Sequence, residues 1–156
     1  MNRPRTLDEA AALVRAGHGE LRAGGTDTTA RRHRAAAGPP PVQIPPLPAL
    51  YGITRHGDGT TRLGALTTLA ALAADPGLRA DYPALTRTAA AVATPQIRAA
   101  ATLGGNLLQH NRCAYYRNPH VRCFRDGGDG CPARDGVHRH AAVIDQGPCI
   151  APHPSS

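Results

Sequence analysis

The pattern of apolar and polar positions divides the chain into a first part with clear periodicity and a last part with almost none. Leu7, Ala10, Ala11, Leu13 and Val14 recur at helical spacing behind Thr6-Leu7-Asp8-Glu9, a capping box, and Gly17 to Gly19 end that helix. Leu21 and Ala23 suit a short buried strand running into Gly24-Gly25. Thr26 and Asp27 are natural N-caps for a second helix, which carries Arg31, Arg32, His33 and Arg34 and ends near Gly38. Strand, glycine turn and helix in succession aim main-chain N–H groups at an anion.

Six prolines between Pro39 and Pro48 surround Val42-Gln43-Ile44, which reads as a connector holding one short strand and marking a boundary between lobes. Tyr51 to Arg55 and Thr60 to Ala65 flank His56-Gly57-Asp58-Gly59, a hairpin signal. Thr67 or Thr68 caps a short helix through Ala74, which Asp75-Pro76-Gly77 breaks, and a longer helix runs from about Pro83 to Val92. Thr94 to Arg98 reads as a turn, Ala101 to Leu103 as a strand, and Gly104-Gly105-Asn106 as a second glycine turn. Past Gln109 the hydrophobic periodicity fades into a long irregular excursion, and a loop of that length needs a staple or a function.

Composition changes this picture in two places. With 41% hydrophobic but only 3% aromatic residues, the core must be built from Ala, Leu, Val and Ile. The net charge of +7 comes from 18 basic residues that are all Arg, and alongside abundant Ala, Gly and Pro this fits a GC-rich coding bias. The tight cluster at Arg31, Arg32 and Arg34 fits a solvated helix face, so nucleic acid is not an expected partner. No signal peptide or membrane-spanning run is visible, which leads to the expectation of a cytoplasmic protein without membrane association.

Glycine turns at Gly24-Gly25 and Gly104-Gly105, each followed by a hydrogen-bonding residue (Thr26, Asn106), make a two-loop diphosphate site plausible from the residues themselves. The four cysteines, Cys113, Cys123, Cys131 and Cys149, are spaced C-x9-C-x7-C-x17-C. No C-x-x-C is present, so the spacing does not name a metal: an iron cluster, a zinc site with nearby His, disulfides and buried thiols all remain open. Six arginines in this stretch against four aspartates would help offset thiolates on iron. Neither a G-x-G-x-x-G nor a P-loop occurs, and no Ser-His-Asp order or carboxylate pair suggests catalytic side chains.

The segments LRAGGTDT (Leu21 to Thr28), TPQIRAAATLGGNLLQ (Thr94 to Gln109) and RCAYYRNPHVRCFRDGGDGCPARDG, with GPCIAPHP behind it, resemble the FAD-binding subunits of molybdenum hydroxylases, the family of xanthine dehydrogenase and carbon monoxide dehydrogenase medium subunits. The cysteine-rich stretch is similar to the aldehyde oxidoreductase branch, whose flavin subunit carries an extra [4Fe-4S] cluster. The resemblance implies an α+β, two-lobed FAD-binding domain of the PCMH type. Residues 1–50 would form a small α/β lobe, and residues 51–156 an incomplete antiparallel-sheet lobe with an iron–sulfur insert at 110–150. It further implies that Ala23, Gly24, Gly25, Thr26, Asp27 and Thr28, with Thr102, Gly104, Gly105 and Asn106, surround FAD, and that Cys113, Cys123, Cys131 and Cys149 ligate the cluster. The implied function is an oxidoreductase subunit that passes electrons from iron–sulfur centres to FAD and an external acceptor. Its implied partners are a molybdopterin-binding large subunit and a [2Fe-2S] small subunit. Ala99 stands where the family usually has Asn, and Ser156 where it usually has Asp. The family's subunits run on well beyond this length, so the chain is expected to be a truncated form. The alternative expectation is a small interaction module stapled by zinc or iron–sulfur that no longer binds flavin.

Overall fold

A computed structural model of the chain describes residues 2–32, 38–145 and 147–152. These divide into two compact units, Met1–Thr28 with Gly38–Leu107 and Thr29–Ala37 with Leu108–Ser156. Within the first unit, α1 (Leu7–Arg15) begins where the Thr6 hydroxyl accepts from the Glu9 amide at 3.1 Å. The Glu9 carboxylate reaches back to the Arg5 amide at 2.7 Å, so the expected box closes one residue earlier than the cap itself. Ala10, 2% exposed, lies on the face that packs on strand β2.

Strand β1 (Leu21–Arg22) pairs in parallel with β2 (Val42–Gln43), and Asn2 bridges Val42. Parallel neighbours need a crossover, and helix α2 (Thr28–Arg32) lies between them in sequence. Its expected continuation through His33 and Arg34 falls outside the described residues.

Strands β3 (Ile53–Arg55) and β4 (Thr61–Leu63) form the expected antiparallel hairpin. Its turn is fixed by the Asp58 carboxylate, which accepts from the Thr60 amide and hydroxyl at 2.9 and 2.7 Å. Helix α3 (Leu69–Ala74) starts at Thr68, whose hydroxyl accepts from the Ala71 amide. The break expected at Asp75-Pro76-Gly77 ends α3 at Ala74 and also starts a helix that was not expected: Asp75 caps α4 (Pro76–Asp81) by accepting from the Leu78 amide at 2.7 Å. Arg55 donates to the same carboxylate at 2.7 Å, tying the hairpin to that cap. Helix α5 (Pro83–Ala91) follows.

The segment expected to be a turn at Thr94 to Arg98 is α6 (Pro95–Ala100), with Thr94 as its cap. The expected strand shrinks to one bridge between Thr68 and Thr102. Immediately after it, Leu103–Leu107 is a helical turn, α7.

Leu69, Leu72, Leu78, Ala89 and Ala101 form the core of this unit, with Ile53, Leu63, Leu85 and Val92 packed around them. Full burial of a leucine contributes about 1.5–3 kcal/mol, so Leu72 and Leu78, both 0% exposed, anchor α3 and α4. Among its described residues the second unit is irregular apart from the end of α2 and a 3-10 turn at Phe124–Asp126. Among the described residues no helix is long and apolar enough to cross a membrane.

Candidate functional site

After Arg22 the chain leaves the β1–β2 ladder and turns through Ala23 to Asp27 into α2. Gly25 has φ +76°, a region that residues with a Cβ adopt at a cost. Gly24 is needed for a different reason. A Cβ there would stand 1.8 Å from the carbonyl oxygen of Ala100 and 2.7 Å from its carbon. One side of the turn is thus pressed onto the peptide that ends α6, two residues ahead of Thr102, while Gly24 stays exposed on its other side. The contact brings the two predicted glycine segments together.

Among the described residues, the main-chain amides of Gly24, Gly25 and Thr26 donate to no acceptor in the protein. Three consecutive donors left open in a turn suit an anionic oxygen. Thr28, by contrast, is buried and begins α2.

The second segment is organised differently. The Leu103 amide donates to the Thr67 carbonyl at 2.8 Å and that of Gly104 to Ala65 at 2.9 Å. Thr102 takes the next two, its hydroxyl accepting from Gly105 at 3.2 Å and its carbonyl from Asn106 at 2.9 Å. All four amides are engaged inside the protein, so what this segment offers a ligand is its surface and the half-buried Asn106 side chain. Gly104 fits because a Cβ would already stand 3.1 Å from Ala65.

In the second unit the cysteines are free thiols: Cys123 is buried, and Cys113, Cys131 and Cys149 are half-buried. All four line one cavity of about 490 Å³, together with Tyr115, Phe124 and Pro132. They do not converge. Among the described residues no group of three or more His, Cys, Asp or Glu side chains is placed to hold a metal ion. The expected [4Fe-4S] ligation by Cys113, Cys123, Cys131 and Cys149, and with it the iron–sulfur and metal-binding character, is therefore corrected. Removed with it is the zinc staple. A cluster cage needs thiolates gathered within bonding distance of common metal atoms, which these four are not, and three of the cysteines anchor turns through their carbonyls. Cys113 accepts from the Arg117 amide, Cys123 from Asp126 and Gly128, and Cys131 from Arg134, each through its carbonyl. The Cys149 sulfur accepts from Arg125 Nε at 3.3 Å.

The arginines expected to offset thiolate charge hold the irregular chain instead. Arg117 donates to the carbonyls of Asn111 and His110 at 2.8 and 2.9 Å. Arg134 grips both oxygens of Asp145 at 2.7 and 2.8 Å and also donates to the Gly147 carbonyl. Tyr115 accepts from the Val137 amide at 2.7 Å, and a Cβ on Gly136 would meet that hydroxyl. Such clamps, made by a side chain onto a carbonyl or carboxylate several residues away, leave no signature in residue spacing.

Hydrogen bonding from Arg134, and then from the Gly147 amide, lowers the Asp145 pKa to about 2. A depressed carboxylate stabilises the closed segment above its unfolded pKa of about 3.9 and loses that contribution as pH falls through the folded value. The 134–147 closure is thus expected to hold at neutral pH and to open between about pH 4 and pH 2. An NMR titration of the Asp145 carboxyl should show a midpoint near 2 in the wild type and a rise toward 3.8 in Arg134→Ala. Equal midpoints would remove the clamp.

The family described as the FAD binding domain in molybdopterin dehydrogenase matches residues 1–146. The chain belongs to that family. Curated relatives of this FAD-binding domain include the aldehyde oxidoreductase FAD-binding subunit PaoB of Escherichia coli K12, 44% identical over 99 residues, which cover 62% of this chain and 31% of that protein. A putative xanthine dehydrogenase FAD-binding subunit, XdhB, from the same organism is 42% identical over 89 residues, covering 56% and 30%. The matches thus span about a third of each relative's length. Among solved structures, a carbon monoxide dehydrogenase chain from Hydrogenophaga pseudoflava aligns with a TM-score of 0.64 at 30% identity, covering 70% of this chain and 39% of that one. Quinoline 2-oxidoreductase from Pseudomonas putida 86 aligns with a TM-score of 0.62 at 25% identity, covering 70% and 39%. The FAD-binding domain has the α+β fold of these structures.

Proposed function

We propose that this chain binds FAD as the electron-transfer part of a molybdenum hydroxylase, of the aldehyde oxidoreductase type. The observation that carries the reading is the Gly24-Gly25-Thr26 turn, with its open amides packed on the peptide that leads into Thr102. Within Ala23 to Thr28, the amides of Gly24, Gly25 and Thr26 would hold the diphosphate. Thr102, Gly104, Gly105 and Asn106 would wall the site, with Asn106 contributing its side chain. The stretch 1–50 would form the first lobe and 51–156 part of the second, meeting across the proline-rich connector. FAD, when bound, would supply a carrier able to take electrons one at a time from an iron–sulfur centre and to release them singly or in pairs. This chain's residues bind and orient that carrier and exclude water from it; no side chain here is assigned bond-making chemistry. Substrate oxidation would belong to a molybdopterin-binding large subunit, and electrons would arrive through a [2Fe-2S] small subunit. The aldehyde branch is favoured by the 44% identity to PaoB, against 42% to XdhB over a shorter stretch.

Titrating FAD into the chain and following flavin fluorescence tests this reading. The wild type should bind, and Gly25→Val should bind at least about tenfold more weakly. A branched side chain is strained at φ +76°, and its Cβ would stand 2.6 Å from the Arg22 guanidinium. Equal affinity in the two proteins would leave the first glycine segment as a turn only.

A further inference from the structure

Resting on the flavin reading above, we propose that Arg22 is the charged half of the diphosphate site and that Gln43 is the residue that positions it. Open amides supply dipoles but no net charge, and a diphosphate brings negative charge that a nearby guanidinium would neutralise through stronger, charge-assisted bonds. Arg22 is the last residue of β1, immediately before the turn, and is half-buried. A Cβ on Gly25 would stand 2.6 Å from both its Nε and its Nη2, so the guanidinium lies directly against the glycine that opens the turn. Glycine at this position therefore does two things: it accepts the left-handed φ and it leaves room for the cation.

Gln43 faces Arg22 in the parallel register. Its Oε1 accepts from Arg22 Nη1 at 3.1 Å, and its Nε2 donates to the Ala23 carbonyl at 3.3 Å. One side chain thus ties the guanidinium to the first peptide of the turn, beside Gly25. A residue of β2 that only filled space beside β1 would have no need of both bonds. The ligand this arrangement recognises is a phosphate ester or diphosphate. The isoalloxazine ring is not part of that recognition.

The test compares FAD, riboflavin (which lacks phosphate) and inorganic pyrophosphate, binding to the 156-residue chain and its variants at salt concentrations from about 50 to about 500 mM. Arg22→Gln should weaken FAD and pyrophosphate about tenfold and flatten their salt dependence, leaving riboflavin affinity and the melting temperature unchanged. Arg22→Lys, which keeps the charge, should recover part of the loss and restore the salt dependence. Gln43→Ala should show a smaller loss confined to the phosphate-bearing ligands. FAD binding by Arg22→Gln at wild-type strength, or an equal loss of FAD and riboflavin, would overturn the assignment while the flavin reading stood. Pyrophosphate binding that depends on Arg22 in a chain that binds no flavin would support the anion site and overturn the flavin reading. A wild type that binds none of the three overturns both.

Discussion

Gly24→Ala is expected to destabilise the first unit by about 3 kcal/mol, near the upper end for overpacking a well-filled site. The new Cβ would fall 1.8 Å from the Ala100 carbonyl oxygen, and a main-chain atom cannot swing aside as a side chain can. Either the turn after β1 must lift or the end of α6 must retreat, and the Ala100–Ala101 peptide is held by core bonds. The Ala101 amide donates to Ile97 at 2.7 Å, and the Ala101 carbonyl accepts from Leu69 at 2.9 Å. Urea denaturation followed by circular dichroism measures the shift. Gly57→Ala is the control, because nothing lies within 4 Å of a Cβ at that hairpin position. Two variants with the same midpoint would mean that the turn does not rest on Ala100.

Leu72→Ala should cost about 2–5 kcal/mol, the range for emptying a leucine site that cannot collapse. Leu72 is 0% exposed and sits in the cluster that joins α3 to α4 and α5. Domains of this size are stable by only about 5–15 kcal/mol, so one substitution removes a large share. Leu85→Ala, on a residue only partly buried against the same cluster, should cost clearly less. Denaturation midpoints for the pair check this, and a Leu72→Ala midpoint within error of the wild type would mean that this cluster does not anchor the unit.

What was legible in the sequence was local. Thr6 with Glu9 and Thr68 ahead of Leu69 each fix an element through side chains within a few residues, and these elements form where expected, as does the hairpin around His56-Gly57-Asp58-Gly59. Helices α4 and α6 escape a reading that treats proline only as punctuation. In both, the proline stands at the first helical position, behind an Asp75 or Thr94 cap whose target lies three residues on. Gly104-Gly105-Asn106 hid a helical turn for a similar reason: glycine lowers helix propensity, but Thr102 captures both following amides. The parallel pairing of β1 with β2 and the arginine clamps of the second unit join residues distant in sequence, so no local pattern announces them. The cysteine expectation failed on the same ground. Four thiols in one stretch set a composition, while a metal site needs convergence.

The contact between Gly24 and Ala100 also limits how the site can be altered. Positions 24 and 100 cannot drift independently: a larger residue at the first must be met by a withdrawn backbone at the second, a change no single substitution provides. Thr26 and Asn106, both half-buried, already carry a Cβ, so substitution there meets no such limit at the first side-chain carbon. A redesign of this surface would start at those two residues and leave the glycine fixed.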